Sequence, residues 1–397
     1  MYAVSGLNKL YLSCQDPILQ FEDDNKIQTN YSSQLISSPL EIDINEDTSQ
    51  LYPIPLKTRI VRSFDTLKDV WLEIDFKFAS AHNYNNMFDI IHSIELLSNN
   101  QILDCIDGKL LESLMILQHR NIYDLYQSLS KSKSKSKLLI PLIFFNSLDG
   151  LDIHMVACQY MEVFIKVNLQ PICLWPDNMN TTSIEIYHQD KLTLFSSVPN
   201  FVTDIIETYL CFTKFNGSLN LICNTIYQEN EMRRRIAQLP HEKIVTTHEH
   251  IEMGFLMENG YVAKSEIFCI GNHAFRFPLK MIVIRIQPND GQIYAFEDLK
   301  EINFYLGNDL IFQTSPTITM INQFSNSNNG GNSSIPNKPI YTIVFKPNEL
   351  ISLDKMNKLN NKLYFELISN TEVDGKVDIW FLQRRILRTT NGMLDLI

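Results

Sequence analysis

Alternation of apolar and polar residues is the dominant pattern along this chain. In segment 71–78, Leu72, Ile74, Phe76 and Phe78 fall on one side and Glu73, Asp75 and Lys77 on the other, which predicts a half-buried strand. The same spacing recurs at Val163/Ile165/Val167/Leu169, Ile282/Ile284/Ile286, Tyr341/Ile343/Phe345, Leu363/Phe365/Leu367 and Val377/Ile379/Phe381, so strands are expected in both halves. One stretch follows another period. Leu111, Leu114, Gln118, Ile122, Leu125 and Leu129 repeat at helical spacing after Gly108 and predict an amphipathic helix between strands, ending at the Lys/Ser alternation of 130–137. That alternation and the Asn/Ser/Gly-rich stretch 322–337 read as exposed loops. Many strands, one helical insertion and no strand–helix–strand rhythm predict an all-β chain: two tandem eight-stranded antiparallel jelly rolls with a short helical insertion in the first.

The length of 397 residues suits two domains rather than one core. The divisions expected are an N-terminal segment 1–24, a first roll 25–228, a junction 229–240 and a second roll 241–397. A composition of 45% hydrophobic and 20% charged residues argues against wholesale disorder. The net charge of −11, with no long basic run, removes the electrostatic basis for wrapping nucleic acid. Seven cysteines (Cys14, Cys105, Cys158, Cys173, Cys211, Cys223 and Cys269) lie scattered without a CxxC pair, which reads as buried thiols in a reducing compartment. The N-terminus lacks a basic region followed by an apolar stretch, so folding in the cytosol is expected, and the N-x-S/T patterns at Asn30, Asn180, Asn216 and Asn332 read as chance.

Enzyme signatures are weak. His248 and His250 stand at i and i+2 in Thr247-His248-Glu249-His250 and could share a metal on one strand face, but the remaining ligands of a cupin-type centre are missing; interface or surface positions are expected. His241-Glu242 is followed by Val245 where a HExxH helix needs its second histidine, and no G-x-S-x-G or phosphate-cradling loop occurs. No catalytic residue, cofactor or metal is therefore assigned. Trp71, Trp175 and Trp380 lie in apolar or strand settings and read as core or interface rather than as sugar-stacking platforms.

Several segments carry a resemblance in a consistent order. They are 10–22 (LYLSCQDPILQFE), 91–104 (IHSIELLSNNQILD), 139–146 (LIPLIFFN) with 151–165 (LDIHMVACQYMEVFI), 227–242 (YQENEMRRRIAQLPHE), 275–285 (FRFPLKMIVIR) and 384–393 (RRILRTTNGM). Together they resemble the double jelly-roll major capsid proteins of nucleocytoplasmic large DNA viruses. Residues 349–354 (ELISLD) depart from the elements that the family carries at that place, so a divergent member or a minor capsid paralogue fits as well.

The resemblance implies a structural, non-enzymatic protein. Three copies would form a pseudo-hexagonal capsomer, in contact with neighbouring capsomers and minor capsid proteins, in a virion shell assembled in the host cytoplasm. Contact with an internal viral membrane is left open, and direct nucleic-acid contact is not expected. It places Glu231, Arg233, Arg234, Arg235, Gln238, His241 and Glu242 at the junction between the rolls. There, guanidinium forks could lock one roll to the other through carboxylates or carbonyls. An assembly scaffold of the same fold and a glycan-binding jelly-roll spike are the alternatives.

Overall fold

A computed structural model of the chain describes residues 31–42, 54–75, 88, 91–118, 123, 137–146, 151–169, 184–188, 191–195, 219–257, 261–267, 277–289, 294–326, 338–345 and 363–397. In the first half these form β1 (Tyr31–Pro39), β2 (Glu41–Ile42), β3 (Ile54–Arg59), β4 (Thr66–Asp75), β5 (Ile91–Ser98), β6 (Gln101–Asp107), helix α1 (Gly108–Gln118), β7 (Lys137–Pro141), β8 (Ile153–His154), β9 (Val163–Leu169), β10 (Ile184–His188), β11 (Lys191–Phe195) and β12 (Leu219–Gln228). Helix α2 (Asn230–Gln238) follows. The second half holds β13 (His241–Phe255), β14 (Val262–Ile267), β15 (Leu279–Pro288), β16 (Leu299–Leu306), β17 (Asp309–Thr314), helix α3 (Pro316–Asn326), β18 (Ile340–Val344), β19 (Leu363–Ser369), β20 (Gly375–Thr390) and β21 (Met393–Leu396).

The two halves share one topology. The first stacks a β1-β12-β4-β7 sheet on a β3-β9-β5-β6 sheet, and the second stacks β13-β20-β15-β18 on β14-β19-β16-β17. In each, counting eight principal strands in chain order, the first pairs with the last, the last with the third and the third with the sixth; the second, seventh, fourth and fifth make the facing sheet. All these pairings are antiparallel. This is the jelly-roll order, twice. β2 and β8 extend the first roll, β10 and β11 form a separate hairpin, and β21 folds back on β20.

Helices α1 and α3 occupy the same topological place, between the fifth and sixth principal strands of each roll. Asp107 starts α1 by accepting the Leu110 amide at 2.6 Å. Gly108 is required there, because a β-carbon would collide with the carbonyl oxygens of Phe88 and Ile91. Helix α3 departs from expectation, since it takes Asn322–Asn326 out of the stretch read as an exposed loop. Its cause is local: Ser315 receives the Ile318 amide on its side chain at 3.3 Å and Pro316 takes the first helical position. Helix α1 also differs from the amphipathic expectation, being buried from Leu110 through Ile116 on every side. Residues 1–24, Phe76, Phe78, Ile122, Leu125, Leu129, 130–136, 327–337, Trp175, Cys14, Cys173, Cys211, Cys269 and the four N-x-S/T asparagines lie outside the described residues.

Candidate functional site at the interface between the rolls

The strands Met281–Ile286 and Val377–Leu382 read as alternating and half-buried, yet the β13-β20-β15-β18 sheet is covered on both faces. Ile282, Ile284, Ile379 and Phe381 point into the second roll, where Phe304 and Phe365 meet edge to face at 5.8 Å. Their neighbours Met281, Val283, Trp380 and Leu382, with Val245 and Leu394, join the apolar cluster of the first roll. Continuous apolar runs such as Met281-Ile-Val-Ile284 are the sequence form of a strand buried on both sides. One roll thus serves as the second wall of the other, and this apolar seam is the main bond between them.

Polar side chains cross the seam at fixed points. The Trp380 indole, fully buried, donates to Asp107 Oδ2 at 2.7 Å, so the residue that caps α1 also anchors the second roll. His250 stacks on Trp380 with centroids 5.0 Å apart and bonds Asp378 Oδ1 through Nε2 at 2.8 Å. Lys109 of α1 reaches Asp378 at 3.2 Å and Glu252 at 3.3 Å, and Gln287 also donates to Asp378. Burial pushes the Asp378 carboxyl up, but the His250 bond and Lys109 outweigh it and hold the group below its ordinary range.

A second anchor is Glu112, whose side chain is completely buried in α1. It receives Arg285 Nη1 at 2.8 Å and pairs with Lys338, both from the second roll, while Tyr123 donates its hydroxyl at 3.0 Å. Desolvation raises this carboxyl, and Arg285 with Lys338 bring it below the usual value. The amphipathic pattern of α1 is therefore absent for a physical reason: the face expected to meet water meets the second roll.

Asp104 and His248 form a third point, 4.0 Å apart and almost wholly buried. Burial lifts Asp104 to about 7 although the Phe145 amide, at 2.5 Å, and the Cys105 amide, at 3.1 Å, both donate to it. Burial takes His248 down to about 4, with Asp107 and His250 acting in opposite directions on it. The histidine pair read as a weak metal motif lies at the seam, paired with carboxylates. Among the described residues no group of three or more His, Cys, Asp or Glu side chains is arranged to hold a metal ion.

The residues singled out at the junction are divided by the structure. Arg233 Nε reaches Asp65 Oδ1 of the first roll at 2.9 Å, and the buried Asp65 carboxylate also accepts the Gln228 amide at 2.7 Å. His241 Nε2 lies 2.7 Å from the Ile236 carbonyl, and its ring sits 4.7 Å from that of His154 in the first roll. Glu242 pairs with Arg388 across β13 and β20 at 2.7 Å, within the second roll. Glu231, Arg234, Arg235 and Gln238 are exposed on α2, and neither Arg234 nor Arg235 forms an ion pair among the described residues. At the same end, the Tyr160 amide donates to the Gly392 carbonyl at 3.0 Å and Gln101 to Asp395 at 3.1 Å.

Most of the polar contacts across the seam are thus made by residues outside the motif segments or not singled out within them. Asp378 and Arg285 were detectable as charges flanked on both sides by apolar residues within their strands, which are costly unless paired. Their partners on α1 carried no comparable signal. Cys158 and Cys223 are buried and Cys105 half-buried, all three unpaired, with burial raising the thiols to about 11 in Cys158 and about 12 in the other two. No helix among the described residues is long and apolar enough to cross a membrane.

Neither the protein-family models nor the curated proteins give a match to the chain. Solved structures do. The chain is similar to the capsid protein of the PBCV-1 virus capsid quasi-atomic model, with 14% identity, a TM-score of 0.65 and coverage of 95% of this chain and 98% of that one. It is similar to the Faustovirus major capsid protein at 8% identity and a TM-score of 0.54, covering 91% of each chain. A chain of the Sputnik virophage structure matches at 9% identity and 0.51, covering 100% of this chain and 93% of that one. Across nearly its whole length, the chain has the double jelly-roll fold of these viral proteins.

Proposed function

We propose that the chain is a structural capsid protein, a wall unit of an icosahedral virus shell rather than an enzyme. The observation that carries this reading is the fusion of two rolls of identical topology through one buried seam, over a length that matches viral capsid proteins almost end to end. Two like rolls per chain allow three copies to close into a ring with a nearly hexagonal outline, and such a tile packs a continuous lattice. A seam held by apolar burial and several paired charges keeps the tile rigid, as lattice contacts on both rolls require. In this reading the rolls divide at 229–240, and Arg233 clamps α2 to the first roll through Asp65. The partners are two further copies, neighbouring capsomers and minor capsid proteins, with the shell assembled in the host cytoplasm.

Mass measurement of the purified full chain tests the tile directly. A stable trimer is expected, and a monomer at micromolar concentration would count against it. Mature particles should contain the chain in many copies; its presence in immature particles and loss from mature ones would instead identify an assembly scaffold.

A further inference from the structure

In each roll the first, eighth, third and sixth principal strands form one sheet. In the second roll the outer face of that sheet, β13-β20-β15-β18, lies in the seam, covered by α1 and β6 of the first roll through such contacts as Lys109 to Asp378, Glu112 to Arg285 and Asp107 to Trp380. The corresponding face of the first roll is open. Leu72, Leu221, Cys223 and Ile140 of β1-β12-β4-β7 belong to the first core, so their strand neighbours point outward. Leu35 is 65% exposed there, Leu139 is exposed, and Trp71 and Ile222 stand opposite each other in register, half-buried. On the same face Asp69 and Glu73 accept the side-chain amides of Asn224 at 2.9 Å and Asn220 at 3.0 Å. The covering helix also occurs twice. The third and sixth residues after Asp107, which caps α1, are Leu110 and Ser113, both buried; the third and sixth after Ser315, which opens α3, are Ile318 and Ile321, both exposed, the latter at 59%. Two and five residues after the cap, where α1 carries Lys109 and Glu112, α3 carries the uncharged Thr317 and Met320.

We propose that α3 of one copy covers the open first-roll face of the next copy, head to tail, repeating the seam inside each chain as an apolar contact between chains. The contact rests on the trimeric tile and names the surfaces that would close it. Six rolls in a ring need six roll-to-roll contacts; the seams within three chains supply half, and this contact supplies the rest. The occupant is a second copy because the chain already holds one instance of the packing, the same sheet face beneath a helix at the same topological place. The isoleucines of α3 and the Leu35, Trp71, Ile222 and Leu139 surface are each left in water by the single chain, and burying one on the other removes both. The two sides also agree in charge. The sheet carboxylates already hold amide donors, and α3 brings no charge that would need a partner.

The test is photo-cross-linking of the purified full chain with an apolar benzophenone amino acid in place of Ile321, using mixed isotope-labelled and unlabelled chains so that links between copies are recognised by mass spectrometry. Links from position 321 to peptides of another copy that contain Leu35, Trp71 or Ile222 are expected. Leu35→Glu and Ile321→Glu, both on the surface of the single chain, should each raise the concentration of half-dissociation about tenfold or more with the circular dichroism spectrum unchanged. Raising salt from about 0.1 to about 1 M should move that concentration less than about twofold, since no ion pair forms across the contact. A trimer that links from 321 to other surfaces, ignores both glutamates or falls apart in salt overturns this contact and leaves the tile standing. A chain that stays monomeric overturns both.

Discussion

Replacing Glu112 by alanine probes the seam at its most charged point. The carboxylate is completely buried, and its partners Arg285 and Lys338 are 14% and 33% exposed. Removing it leaves the Arg285 guanidinium largely out of water with no counter-charge, and breaking a buried pair in this way typically costs about 3–5 kcal/mol. Lys338 can turn to solvent, so its share is small, about 1 kcal/mol or less. Losing the Tyr123 hydroxyl's acceptor adds roughly 1 kcal/mol. For a cooperative unit the size of one roll, a combined loss near 5 kcal/mol lowers the thermal midpoint by roughly 10–20 °C. Because the pairs join different rolls, Glu112→Ala should also split a single unfolding transition into two, visible by calorimetry. Arg285→Ala in the same background should cost much less than it does alone, since the charge stranded by the first change is then gone. A shift under about 1 kcal/mol for Glu112→Ala, or full additivity of the two changes, would refute the view that a buried charge cluster couples the rolls.

Acid should loosen the first roll's contact with β13. Burial, His241 and Lys243 take His154 down to about 4 from its ordinary 6.5, so the folded state binds this proton less readily than the unfolded one. Its stabilising contribution is complete above pH 6.5 and shrinks as pH falls towards 4, by about 2 kcal/mol between pH 7 and 5. Urea titrations at the two pH values should show a drop smaller by that amount in His154→Gln; an identical drop would exclude the mechanism. Asp104, raised to about 7, works the other way, so this difference between variants is the informative quantity rather than the total. On α2, Arg233→Ala should cost about 1 kcal/mol or less, because Arg233 is 52% exposed and Asp65 keeps the Gln228 amide. Asp65→Ala should cost about 1–3 kcal/mol, through the Gln228 amide left without its acceptor. Arg234→Ala should stay within about 0.5 kcal/mol, so any fall in oligomer mass with that variant locates Arg234 in assembly rather than in the fold. Gly108→Ala should lower the midpoint by the equivalent of about 1–3 kcal/mol as α1 is forced off two carbonyls.

Strand alternation was enough to identify a β protein, since residues at i and i+2 share a face whatever surrounds them, while the division into two sandwiches came from the length of the chain. Val163, Ile165 and Val167 are buried as their spacing requires, and Lys166 between them is not. Ser315-Pro316 carried a helix start that the low-complexity run after it obscured. The junction motif led to Arg233 and His241, which touch the first roll, but equally to Arg234 and Arg235, which lie exposed. A run of arginines on a short helix does not say which one points inward.

What the sequence determined by itself was local: which segments are extended, which apolar faces need cover, and where single charges such as Asp378 and Arg285 sit among apolar neighbours. Which surface covers which was decided only by the tertiary structure. Trp380 and Asp107 are 273 residues apart, and Glu112 and Lys338 are 226 apart. Burial is non-directional and any apolar face can satisfy another, so the choice of partner follows from how strands of two separate rolls bring particular donors and acceptors within hydrogen-bond reach.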